Sequence, residues 1–367
     1  MQCKRLKISV IFVLLLFLSN ALLASEPQHE NNKSEGKGSF SVVDFIFSHI
    51  KDAHSWHLWD YTDDEGQKHN VSISLPVILF HDGKLTTFMS SDFEHGHAVV
   101  SKNGYHYFLH NETVYLTDKE GTLHKDKNEE GKTIITNETP LDFSITKTAA
   151  AIIISAIILL FMFISVGNAY KKRPGKPKGF QALMEPIILF VTEDMVRPNI
   201  RENPEKYMPY VLTVFFFILI NNVLGIIPFF PGGANVTGNI SVTMTLAVFS
   251  MIMINVNGSK DYWKHIFATP GVPVYLLPII FPVELIGIIT KPFALMIRLF
   301  ANITAGHTII LSLVSIIFIF KSLSMSFISV PFVLFMDLLE LLVAFIQAYI
   351  FALLSALFIG LSTEKGH

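Results

Sequence analysis

The apolar positions of this chain fall into two regimes that meet near Thr148. Beyond it they form runs long enough to cross a bilayer, which takes about 20 residues of α-helix. "TAAAIIISAIILLFMFISVGNAY" is the first, "YMPYVLTVFFFILINNVLGIIPFF" the second and "NISVTMTLAVFSMIMINVN" the third. Two longer runs close the chain, predicted as helices from Pro282 to Phe320 and from Pro331 to Leu361, joined by "KSLSMSF". At about 1.5 Å per residue each exceeds a hydrocarbon core of about 30 Å, so both are expected to tilt strongly. "FQALMEPIILFVTEDMVRPNI" mixes apolar and charged positions at helical spacing, which predicts an amphipathic helix at the membrane surface rather than a span. "PGVPVYLLPIIFPVELIGIIT" is apolar, but its prolines argue against one clean span. "PGGANVTG" reads as a turn-rich loop and "GSKDYWKH" as a short basic, aromatic connection.

Before Thr148 the period is two. "VSISLPVILF" and "LTTFMSS" alternate around Asp82-Gly83, and "YHYFLHNETVYL" alternates after Asn103-Gly104. Both dipeptides favour the left-handed backbone of tight hairpins. The expected fold is therefore an all-α polytopic membrane protein of about five transmembrane helices plus a surface helix. Its last two helices form a long hairpin, and a small β-containing region precedes the spans.

Composition sharpens this picture. Hydrophobic residues make up 51% and charged ones 16% of the 367 positions; ordinary soluble domains carry about 25% charged residues. A net charge of −2 points to no nucleic-acid partner. Lys4, Arg5 and Lys7, the apolar "ISVIFVLLLFL" and the small residues near Ala24 or Ser25 read as a secretory signal over residues 1–24. Residues 25–146 are then extracytoplasmic, and residues 147–367 form the membrane domain. The basic loop "KKRPGKPKG" after the first span agrees, because basic loops stay in the cytoplasm. An odd number of spans leaves the C-terminus cytoplasmic. Cys3 is the only cysteine and lies in the signal, so no disulfide or Cys-ligated metal is expected. His54, His57, His95, His97, His106 and His110 crowd the β region without tight ligand spacing. They read as surface and interfacial histidines, with a metal site as the sharper alternative. Trp56, Trp59 and Trp263 read as interface anchors.

The chemistry is expected inside the membrane runs, where an ionisable residue marks function by default. Arg298 and Asn302 stand four apart in "MIRLFANITAGH" and share a helix face. Glu340 and Gln347, two turns apart, share a face of the last helix. His307 falls on roughly the opposite side from Arg298, about 13 Å further along the helix. Arginine holds its proton at any physiological pH, so Arg298 is a fixed cation rather than a relay. Histidine and a desolvated glutamate titrate near neutrality, so His307 and Glu340 suit a water-lined proton path. The plain alternatives are a structural ion pair of Arg298 with Glu284 or Glu340, a static His307–Glu340 pair, and interhelical hydrogen bonds for Asn302 and Gln347. Asn221 and Asn222 read as packing.

At these residues the chain resembles subunit a of the F-type ATP synthase. The likeness rests on "KPFALMIRLFANITAGH", "NNVLGIIPF", "NISVTMTLA" and "LLVAFIQAYIFALLSALFI" and spans Phe180 to Glu364. It implies a multi-pass protein of the bacterial inner membrane, with partners in a ring of c subunits, a peripheral stalk of subunit b and the rest of the F0F1 complex. It also implies that Arg298 faces the ring, that Asn302 and Gln347 line the path, and that His307 and Glu340 are the proton-path pair. Many bacterial members carry glutamate at the first of those two positions and histidine at the second; here they are exchanged, as in mitochondrial forms. Glu284 and Lys291 match positions toward the cytoplasmic side. The resemblance implies no cofactor and a non-catalytic subunit, and the chain has no Gly-rich Lys-Ser/Thr phosphate loop. It says nothing of residues 25–146. A proton-coupled secondary transporter is the rival reading, and it calls for inverted repeats that this sequence lacks.

Overall fold

The computed structural model describes residues 51–62, 68–127, 133–172, 177–227, 230–267, 273–320 and 323–364. The expected signal and the polar stretch after it lie outside these residues, as does part of the basic loop at 171–179.

The region before the membrane helices folds as small antiparallel sheets. β1 (Ser55–Thr62) pairs with β2 (Lys68–Ser74). β3 (Pro76–His81) lies between β4 (Lys84–Met89) and β10 (Leu141–Asp142). β5 (Val100–Lys102), β6 (Tyr105–His110) and β7 (Thr113–Thr117) form a meander. β8 (Lys125–Lys127) pairs with β9 (Thr133–Ile135). The turns at Asp82-Gly83 (φ 46° and 74°) and Asn103-Gly104 (φ 55° and 86°) are the two expected hairpins. A third, Asn111-Glu112, joins β6 to β7 with φ of 50° and 65°. Val77, Leu79, Phe88, Phe93, Val100, Tyr107 and Val114 alternate inward to make one small core.

Glutamate rarely accepts a positive φ, and Glu112 is held there by what its carboxylate does. It accepts the His54 N–H at 3.0 Å and lies 3.5 Å from His54 Nδ1, while Asp142 holds Nε2 at 2.9 Å. Burial opposes charge on His54, but the hydrogen bonds and charges of Asp142 and Glu112 outweigh it and push the imidazole up to about 10. The same bonds overcome burial at both carboxylates and hold them below their usual range. A raised imidazole stabilises the fold fully below its ordinary value of 6.5 and loses that contribution as pH rises toward 10. The lowered carboxylates contribute above their ordinary range and lose it in acid. Hydrogen-exchange protection of the Phe143 and Lys147 amides in the intact chain is therefore expected to peak between about pH 5 and 6.5 and to fall on either side.

Seven longer helices follow among the described residues. α1 (Lys147–Lys172) is mostly apolar and ends on Lys171 and Lys172, whose charges suit a helix C-terminus. α2 (Phe180–Leu189) continues through a wider π-helical turn, Phe190–Val196, into Arg197–Asn199. Val191, Met195 and Val196 are buried on one face while Glu193 and Asp194 are exposed, as expected of a surface helix. α3 (Pro204–Ile226) starts with proline where no helical N–H bond is needed. α4 (Ile240–Val256) is capped by Asn239, whose side chain accepts the Ser241 N–H at 2.9 Å.

Three boundaries differ from the sequence reading. "GSKDYWKH" is largely helical: α5 (Lys260–Phe267) meets α4 at a bend of 102°. α4 has 17 residues and passes as a span only together with α5, so the described helices give four spans, or five with the bent pair. α6 runs from Leu277 to Phe320, so it absorbs most of the proline-rich run instead of starting at Pro282. Pro278 falls in the first turn, where the missing N–H costs nothing, and Pro282 and Pro292 each remove one internal bond, which membrane helices tolerate. α7 runs from Leu323 to Thr363, so most of the "KSLSMSF" link is helical.

α7 is the centre of the bundle and packs on α3 and α6. Ala344, Ala348, Ala352 and Ala356 recur every four residues and are fully buried, which lets neighbouring backbones approach. Gly360 continues the stripe; a Cβ there would overlap the Asn199 carbonyl oxygen. The architecture is that of a mostly helical polytopic membrane protein with a β-containing N-terminal region.

Candidate functional site

α6 and α7 form an antiparallel hairpin that carries all six candidate residues. Arg298 is exposed on α6. Among the described residues it forms no hydrogen bond and no ion pair, with Glu284 and Glu340 or any other group. It lines a cleft of about 280 Å³ between α6 and α7 with Thr290, Lys291, Ala294, Leu295, Leu354 and Phe358. Lys291 turns aside, its Nζ 5.5 Å from the centre of the Phe358 ring. Asn302 is exposed one turn beyond Arg298. Gln347 is 5% exposed on α7. Neither makes a hydrogen bond among the described residues. The interhelical bond here comes from Asn222, whose Nδ2 donates to the Ala344 carbonyl at 3.3 Å while its Oδ1 accepts from Thr237 at 2.5 Å. By sequence Asn222 reads as packing, because an asparagine pair in an apolar helix gives no direction.

Toward one end of the hairpin, His307 and Glu340 meet. His307 Nδ1 lies 3.3 Å from Glu340 Oε1, in contact but without hydrogen-bond alignment. Glu340 is 5% exposed, and neither carboxylate oxygen has a hydrogen-bond partner. Thr304 Oγ1, Asn221 Oδ1 and Asn235 Nδ2 are also buried and unpaired in this half of the bundle. Buried polar atoms are mostly satisfied in native proteins, so such a group calls for a functional account. Two glycines make the room. A Cβ at Gly306 would sit 3.0 Å from Glu340 Oε1, and one at Gly225 of α3 would sit 3.6 Å from His307 Nε2. Sequence gave no sign of either role, which depends on the tertiary packing of three helices. Toward the other end, Glu284 is half-buried near the start of α6, within electrostatic range of the Tyr262 phenol on α5. By helix rise it lies about 21 Å from Arg298.

Among the described residues, no three histidine or acidic side chains converge as a metal site. His54, Glu112 and Asp142 come nearest, but the two carboxylates approach opposite nitrogens of the ring and cannot share one ion. Trp56, expected as an interface anchor, is 3% exposed and lies in the apolar core it shares with the membrane helices.

Comparison with known proteins identifies the family of the chain. The family model of the ATP synthase A chain matches residues 149–360. A second model, described as Domain of unknown function (DUF8433), matches residues 45–143. ATP synthase subunit a of Chlorobium phaeobacteroides (strain BS1) is 51% identical over 235 residues, covering 62% of this chain and 68% of that one. That of Pelodictyon phaeoclathratiforme is 43% identical over 282 residues, covering 74% and 79%. The latter match is longer than the membrane part and so reaches into the β region. The Myxococcus xanthus subunit is 44% identical over 234 residues, covering 62% and 75%. The chain belongs to the ATP synthase A chain family and is a multi-pass membrane protein.

Proposed function

We propose that this chain is the proton-translocating stator subunit of an F-type ATP synthase, and that Arg298 separates two aqueous half-channels. The observation that carries the reading is one unpaired guanidinium exposed on α6, with a carboxyl–imidazole pair toward one end of the hairpin and Glu284 toward the other. Its partners are a ring of c subunits, the subunit b stalk and the rest of the F0F1 complex. The β region faces the periplasm and the C-terminus the cytoplasm, as the basic loop after α1 supports.

Protons enter from the periplasm beside His307 and Glu340, whose unpaired polar surroundings are ready to hold water. They neutralise a ring carboxylate. Only the neutral acid rotates into lipid cheaply, because the ion costs several kcal/mol there. After most of a turn the acid meets the second half-channel near Glu284 and releases its proton to the cytoplasm. Arg298 then faces the bare carboxylate and blocks direct passage between the two dead-ends. Rotation drives ATP synthesis on a separate catalytic head.

Vesicles holding the whole complex are expected to acidify on addition of ATP in sodium-free buffer. Acidification that requires sodium would overturn the choice of ion, and ATP hydrolysis with no ion movement would overturn the function. Gly306→Ala places a methyl against Glu340 Oε1. It is expected to slow pumping several-fold with assembly intact, measured as acidification rate per complex.

A further inference from the structure

The β region meets the membrane part around Trp56. Trp56 is 3% exposed, within the same apolar core as α3, α6 and α7, and meets Phe230 of the α3–α4 loop edge-on at 5.2 Å. Its strand partner Ile73 packs against that core too. Beside it, residues 52–54 hold the first turn of α1. The Asp52 carboxylate accepts the Thr148 N–H at 2.9 Å, and the Ala53 carbonyl accepts the Lys147 N–H at 2.8 Å. His54, clasped by Asp142 and Glu112, closes the same corner.

Lys147 stands where this corner meets the helices. Its charge acts on Asp52 and Glu112 on one side and on His307 on the other. His307 in turn touches Glu340 on α7 and Gly225 near the end of α3, and Asp337 is the further charge that reaches Glu340. Geometry joins the two parts at the α3–α4 loop: Phe230 meets Trp56 of the β region, and a Cβ at Gly225 would lie 3.5 Å from the Ala234 carbonyl of that loop and 3.6 Å from His307 Nε2.

We propose that the β region forms the outer mouth of the proton inlet, with Lys147 and the carboxylates around it as the charged lip that sets how readily protons reach His307 and Glu340. This rests on the reading of α6 and α7 given above. Held by its two carboxylates, His54 stays protonated at neutral pH. The lip then carries Asp52, Glu112 and Asp142 against His54 and Lys147, an excess of one negative charge. Fixed charge at a narrow mouth raises or lowers the local concentration of a small ion. Removing the Lys147 cation makes the lip more negative and favours proton capture. Neutralising Glu112 does the reverse. A region that served only as a clamp would lose rate in both cases without opposite displacements.

The test is ATP synthesis by the intact complex in vesicles with the catalytic head outward. The lumenal pH is varied while the membrane potential and external pH are held. Lys147→Gln is expected to move the half-maximal lumenal pH up by about half a unit, and Glu112→Gln to move it down by a similar amount, as a single fixed charge at the mouth would. Lys147→Arg is expected to stay near the wild type, and added lumenal salt to shrink both displacements. If Glu112→Gln fails to assemble, the contrast between Lys147→Gln and Lys147→Arg decides alone. Unchanged midpoints, or displacements in the same direction, would overturn the proposal. With Arg298→Ala still making no ATP, that result would leave the stator reading standing; coupled ATP synthesis by Arg298→Ala would remove the stator reading itself.

Discussion

Arg298→Ala is expected to abolish ATP-driven proton pumping and ATP synthesis while the complex still assembles. Both halves of this result follow from the surroundings of the side chain. Arg298 is exposed and makes no hydrogen bond or ion pair among the described residues, so its loss breaks nothing within the chain. Surface substitutions of this kind change stability by no more than about 0.5 kcal/mol. Function is another matter. A rotor carboxylate that has given up its proton must pass this point as an ion. Leaving a desolvated charge without its partner costs about 3–5 kcal/mol, and each 1.36 kcal/mol is about a factor of ten in rate. The expected loss is therefore at least about a hundredfold. Arg298→Lys keeps a charge, but as a compact ammonium that gives up its proton when buried, so it is expected to rescue poorly. Acidification rates per assembled complex measure the first effect, and recovery of the complex on a native gel measures the second.

The second large effect belongs to Glu340. Removing a proton-transfer group typically slows a reaction by about 10²–10⁴, and Glu340→Ala is expected to fall near the lower end because water can bridge part of the gap. Stability should move the other way. The Glu340 carboxyl is buried with neither oxygen hydrogen-bonded, a destabilising arrangement that substitution relieves. Glu340→Leu is therefore expected to unfold at the same temperature as the wild type or above it while pumping little. The exchange His307→Glu with Glu340→His keeps one acid and one imidazole in contact, and is expected to pump better than either single change. Equal loss in the double variant would mean that the pair does not relay protons.

Much of this was legible in the residues themselves, and what was not has physical reasons. Arg298, His307 and Glu340 announce themselves because charge in an apolar run is expensive. The hairpins at Asp82-Gly83 and Asn103-Gly104 follow from backbone preference alone. The Asn111-Glu112 turn does not, because Glu112 adopts a positive φ to serve a histidine 58 positions away. The helices begin before Pro282 and Pro331, where proline suggests a boundary, because a packed membrane helix absorbs it. Gly225 and Gly306 carry no local signal, since their value lies in which side chains they let in. Trp56 reads as an interface anchor by composition, and its packing between the two parts of the chain depends on tertiary contacts that composition does not encode.

The central claim is that the Arg298 face of α6 lies against a rotating ring, and a cross-link tests it most directly. Ala294 and Ala301 are exposed one turn to either side of Arg298, and the chain's only cysteine is Cys3. Ala301→Cys, paired with a cysteine beside the ring subunit's carboxylate, is expected to form a disulfide on mild oxidation. That bond should stop pumping, and reduction should restore it. A cysteine at position 301 that never joins the ring but reacts freely with lipid-soluble thiol reagents would show that this face meets lipid, and would contradict the account.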